Sequence, residues 1–266
     1  MNELDALRAE LEQSPVRAFS LHHWLEEPKL AACEGLISST LSLLALWPTK
    51  VLVYKEHFAK PVSKRWAAFN DISLSEFEET VGITAESGKP LSKANLRLRL
   101  GLFNITTHED IYAGNMYFEH DPDFLTIELG LKVISEWLTV ITPRYGFSNI
   151  DTKDSAMLFH AGQPTSSDDE VYLKRIRAHE AVRHCQPHED GYLGRRLLDV
   201  FELNILSPAH LSSRVFNMSL ENWITSGGRG ALTQLKKDVY AWIVPDNIRP
   251  DIRQNFLNAG HLIVPV

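Results

Sequence analysis

The chain has little cysteine: two in 266 residues, Cys33 and Cys185, neither in a CxxC spacing. Two isolated cysteines cannot build a disulfide framework, and a reducing compartment is the simplest setting for them. Long uncharged apolar runs are also missing. The greasiest stretch, Leu30 to Trp47, contains Glu34 and four hydroxyl residues. Its apolar residues Leu30, Cys33, Ile37, Leu41 and Leu44 recur at helical spacing, which fits a buried core helix better than a membrane span. The opening Met1-Asn-Glu-Leu-Asp is acidic where a signal peptide is basic and then apolar. The expectation is a cytoplasmic protein that engages no membrane.

The familiar catalytic patterns are absent too. "SGGRG" at 226–230 lacks the GxxxxGK[ST] spacing and the lysine of a phosphate loop. Its glycines fit a helix end, a turn and a following strand. No GxSxG elbow occurs. In "HEAVRHCQPHED", 179–190, His184 follows His179 at i+5, about 140° around a helix at 3.6 residues per turn. Two imidazoles so placed do not meet one zinc, and Pro187 breaks any helix between His184 and His188. Cys185 beside His184 is no dyad, since neighbouring side chains point apart, and adjacent His22-His23 have no partner pattern. No metal or other cofactor is expected, and no catalytic residue emerges.

What is present is a mixed pattern. Leu4, Leu7 and Leu11 suggest an N-terminal helix, Glu27-Pro28 opens a second, and Trp47-Pro48 closes it. Ser73-Leu-Ser-Glu76 has capping-box spacing. Strands are expected at Val51–Phe58, Leu96–Phe103, Ile111–Glu119 and Phe124–Leu129, with a turn at His120-Asp-Pro-Asp123. A helix should run from Leu131 to about Ile141 and another near Val171–His184. Two short helices, a strand at Val239–Val244 and a last helix around Asp251–Asn258 complete the chain, with Gly260 as its stop. Consecutive strands without intervening helices argue for an antiparallel sheet with flanking helices, an α+β fold in one domain. A subdivision would fall in the polar loop 163–170.

The stretch "RRLLDVFELNILSPAHL", 195–211, crowds polar groups into an apolar run. As a strand over 196–205 it would place Asp199 with Leu197, Phe201, Leu203 and Ile205, and Glu202 on the other face. That parity is poor for shared acid–base chemistry. A carboxylate on an apolar face must be paired, so Asp199 is expected to be structural, held by an arginine or a backbone amide. Ser207-Pro208 reads as a helix start, a structural role for Ser207.

Charge is the other asymmetry. The net charge is −7, which disfavours nucleic acid as a partner and suits a basic protein. Between Arg99 and Lys132 there is no lysine or arginine, yet Glu109, Asp110, Glu119, Asp121, Asp123 and Glu128 all occur. Asp168-Asp169-Glu170 adds a second run, and Glu76, Glu78 and Glu79 a third. Taken singly these are solvated strand ends and loops. As a set, Glu109, Asp110, Glu119, Asp121, Asp123, Asp168, Asp169 and Glu170 would present a negative surface to a basic partner.

Residues 192–244 carry "YLGRRLLDVFELNILSPAHL", "SLENWITSGGRGALTQL" and "VYAWIVP", and 141–151 read "ITPRYGFSNID". These segments resemble the type VI secretion immunity proteins, notably the immunity protein 52 family. The resemblance covers roughly the last half and rests on spaced aromatics with Asn204, Leu206 and His210. It implies an antitoxin that binds a cognate secreted effector, typically a restriction-endonuclease-like nuclease, and occludes its active site or its assembly. It supplies no catalytic residues. Two other readings stand beside it: a hydrolase or transferase with an unrecognised site near His179–His210, and an adaptor that loads an effector. Oligomeric state is not legible.

Overall fold

The structure, a computed structural model, describes residues 15–25, 39–45, 48–54, 62–65, 82–87, 97–104, 112–152 and 195–262. The strands are β1 (Pro15–Leu25), β2 (Pro48–Tyr54), β3 (Val62–Arg65), β4 (Gly82–Ser87), β5 (Arg97–Asn104), β6 (Tyr112–His120), β7 (Tyr145–Thr152), β8 (Leu203–Leu206), β9 (Arg214–Val215), β10 (Met218–Ser219), β11 (Ala231–Lys236) and β12 (Val239–Ile243). The helices are α1 (Ile127–Trp137), α2 (Pro208–Ser212), α3 (Leu220–Ser226) and α4 (Arg249–Asn258).

Ten strands form one sheet in the order β11-β12-β8-β7-β1-β6-β5-β4-β2-β3, and β9 pairs with β10 alone. Every strand pairing is antiparallel. The fold is α+β. β1 is the seam, with β6 on one side and β7 on the other. Both neighbours run opposite to β1, hence parallel to each other, so the chain must cross over between them. α1 makes that crossing on top of β1.

Alternation of side chains sorts the two faces. Phe19, Leu21, Met116, Phe118, Leu203, Ile205 and Ala241 face α1 and build one core with Val133, Ile134 and Trp137. Phe19 stacks on Phe118 at 4.8 Å, and Trp137 meets Phe118 edge-on at 5.0 Å. Residues 39–43 are helical, and Thr40 accepts from the Trp137 indole at 2.6 Å. The approach of α1 is so close that a Cβ at Gly130 would overlap the Phe19 ring. Tyr145, Phe147, Leu206 and Trp242 point the other way, under Trp223 of α3 and Phe256 of α4. Each buried aromatic here contributes about 1.5–3 kcal/mol.

Two sequence expectations are corrected. Residues 124–129 are not a strand: Thr126 accepts from the Leu129 amide and starts α1, which therefore begins and ends four residues earlier than its apolar pattern suggested. The run 196–205 is a strand only over Leu203–Leu206. Before it, Leu197, Leu198, Val200 and Phe201 are all buried, so strict alternation fails. Leu197 instead bridges Leu262. The expected strands near 51–58, 96–103, 111–119 and 239–244 are present as β2, β5, β6 and β12. The expected N-terminal helix with Leu4, Leu7 and Leu11, the capping box at Ser73–Glu76, the helix near Val171–His184 and the loop 163–170 lie outside the described residues.

Candidate functional site

β6 ends at His120, and Asp121-Pro122-Asp123 turns the chain into α1. The Asp121 carboxylate accepts from the Asp123 amide at 2.9 Å, and the Asp121 carbonyl accepts from the Leu125 amide at 2.9 Å. Aspartate suits this position because its short side chain closes a turn through its own backbone. Glu128 lies in the first turn of α1, where the helix dipole favours an anion. Lys132 pairs with it at 2.9 Å, and that hydrogen bond, then the charge, holds the Glu128 carboxyl below its ordinary range.

Phe124 sits in this turn between Asp123 and the first turn of α1 that holds Glu128; it is 40% exposed and its ring rests on His120 at 4.3 Å. The segment thus exposes one aromatic with Asp123 and the Glu128–Lys132 pair close to it in sequence. Phe124 was not singled out in the sequence. Its signal, an aromatic inside an acidic turn, was hidden by reading 124–129 as a strand.

Glu119 does not belong to this surface. It is fully buried on β6 and accepts from the Tyr117 hydroxyl. The expectation that grouped Glu119 with Asp121 and Asp123 is therefore corrected: alternation on β6 turns Glu119 to the face away from Phe118, where it is buried. Glu109, Asp110, Asp168, Asp169 and Glu170 lie outside the described residues, as do His179–His188.

Buried polar groups cluster on the sheet face opposite α1. Ser20 Oγ and His22 Nε2 are 3.1 Å apart on β1, and Ser20 is in register with Tyr117, Ala18 with Glu119. Arg17 pairs with Glu202 at 3.2 Å, tying β1 to the segment before β8. Ser20 and His22 are types that make a nucleophile and base, but both are buried. Among the described residues no group of three or more His, Cys, Asp or Glu is placed to hold a metal.

Asp199 accepts from Arg253 Nε at 2.7 and 2.9 Å and from the Val200 amide at 2.7 Å. Burial pushes its carboxyl above the ordinary aspartate range, against the opposing pull of these donors and of the Arg253 and Arg249 charges. It fastens α4 to the segment before β8. Ser207 caps α2: its Oγ is 2.9 Å from His210 Nδ1, which also accepts from the Ser207 amide at 3.4 Å. His210 is buried against Tyr145 at 5.4 Å. "SGGRG" is the end of α3 and a turn: Gly228 and Gly230 have φ of 62° and 101°, and Arg229 lies 4.2 Å over the Trp223 ring.

No family model matches the chain, and no curated protein matches its sequence. Among solved structures it is similar to the Pseudomonas aeruginosa T6SS protein PA0821, with a TM-score of 0.55 and 13% identity. The match covers 98% of this chain and 83% of that one. At that identity the likeness is one of fold. Among the described residues, no helix is long and apolar enough to cross a membrane.

Proposed function

We propose that this chain is a type VI secretion immunity protein: it binds a cognate secreted toxin in the cytoplasm and neutralises it by occlusion, with no chemistry of its own. The observation that carries the reading is the β6–α1 turn, which exposes Phe124 between Asp123 and Glu128 with Asp121 at its start. Such a surface complements a basic partner, and a nuclease's DNA-binding cleft is basic. Long-range attraction would speed encounter, and the aromatic would slow release. The fold shared with a T6SS protein and the sequence resemblance of 192–244 to immunity proteins support the same assignment. The restriction-endonuclease-like identity of the toxin rests on that resemblance alone.

The test is co-expression with the product of the neighbouring open reading frame, as the candidate toxin. Survival of the host, with a stoichiometric complex on purification, is expected. Continued killing at equal expression of both proteins overturns the assignment.

A further inference from the structure

A second surface lies at the β9–β10 hairpin, where Arg214 and Arg196 are exposed and Glu221 opens the helix that follows β10. Residues 195–262 hold eight Lys/Arg against six Asp/Glu, whereas 112–152 hold two against six. Asp199, Asp246 and Glu202 of the first region are engaged by Arg253, Arg249 and Arg17. Phe216 and Asn217 form the hairpin turn with φ of 49° and 70°. Two successive left-handed residues are the pattern that Asn-Gly satisfies without strain, and a bulky ring at the first is a costly choice. Strain of this kind concentrates where a side chain has to be presented.

The Phe216 ring is 43% exposed and Met218 beside it 40%. Beneath lie Trp223, Phe256 and His261, with ring centroids 5.8, 6.2 and 6.3 Å from Phe216. Arg214, which opens the hairpin, is exposed. Arg196 is exposed and close enough to His261 for its charge to add to burial in holding that imidazole below its ordinary range.

We propose that this surface docks a protein segment carrying carboxylates beside an apolar side chain. Phe216 and Met218 take the apolar group; Arg196 and Arg214 take the carboxylates. The surface belongs to the layer opposite α1, so a partner there would leave the acidic turn open. It is independent of the toxin assignment.

The test uses the full chain and a labelled peptide of alternating glutamate and leucine, with lysine–leucine and glutamate–serine peptides and duplex DNA as comparisons. The glutamate–leucine peptide should bind about tenfold or more tighter than any of the others, and should weaken with added salt. Arg196→Glu with Arg214→Glu should lower that affinity about tenfold, as should Phe216→Asn, while Asp123→Lys leaves it unchanged. Asparagine accepts the left-handed backbone, and both arginines are exposed, so these variants remain folded. No binding of the glutamate–leucine peptide, equal binding of the lysine–leucine peptide, preferential binding of DNA, or indifference to the arginine reversals would overturn the proposal.

Discussion

The crossover through α1 and the layer of α2, α3 and α4 close opposite faces of one sheet, and they treat their carboxylates differently. The crossover packs one helix tightly onto β1, Gly130 against Phe19, and leaves Asp121, Asp123 and Glu128 at its edge. The opposite layer consists of short helices joined by aromatic edges, such as Trp223 to Phe256 at 4.9 Å, and by the Asp199–Arg253 pair. A short helix gains little stability from its own hydrogen bonds, so it depends on such fastenings. The same residue type thus fastens buried segments on one face and on the other sits at an exposed turn, bonded only locally. Burial and partners decide which, not sequence position.

Glu119 and Asp123, four residues apart, separate a buried carboxylate from an exposed one. Glu119→Lys puts a cation where a buried carboxylate accepts from Tyr117, and should cost about 3–5 kcal/mol in urea unfolding. An unfolding midpoint within error of wild type would mean the position is not buried. Next in size is Gly130→Val. Its branched side chain meets the Phe19 ring and should cost about 1–3 kcal/mol, read as a lowered melting temperature. If melting is unchanged, α1 does not sit on β1 as described.

Asp199→Ala strands Arg253 and the Val200 amide, and the partial exposure of Arg253 limits the loss to about 1–2 kcal/mol. Asp199→Asn keeps an acceptor and should lose less. The pH dependence has a definite sign. The folded carboxyl is raised by burial, so the folded chain holds this proton more tightly than the unfolded one. Its contribution to folding is complete below the ordinary aspartate pKa and is lost as pH rises through the raised value. Melting of wild type minus that of Asp199→Asn should therefore fall over that window and level off above it. A difference that grows with pH contradicts the assignment.

The strands that alternate cleanly were legible from the chain, β5 and β6 above all, because one face of each is apolar. So was the end of α3, where consecutive glycines leave a turn as the simplest outcome. The segment 197–202 was not legible. Its apolar residues are buried whatever their parity, since it threads between β1, α4 and the C-terminal bridge instead of lying in the sheet. The start of α1 was hidden because Thr126 reads equally well as a strand residue; the cap appears only once Leu129 donates to it. The acidic surface was half legible. Charge density found Asp121 and Asp123, but placing Glu119 inside needed the face of β6, and finding Phe124 needed the turn.

The smallest expected effect on stability belongs to Asp123→Lys, within about 0.5 kcal/mol, because the side chain is exposed. Its effect on binding is the decisive measurement. For the proposed complex with a cognate toxin, association and dissociation rates are compared for wild type, Asp123→Lys and Phe124→Ser across a salt series. Asp123→Lys should slow association and flatten its salt dependence, while Phe124→Ser should speed release about tenfold. Rates identical to wild type in both variants would contradict the placement of the toxin on the β6–α1 turn.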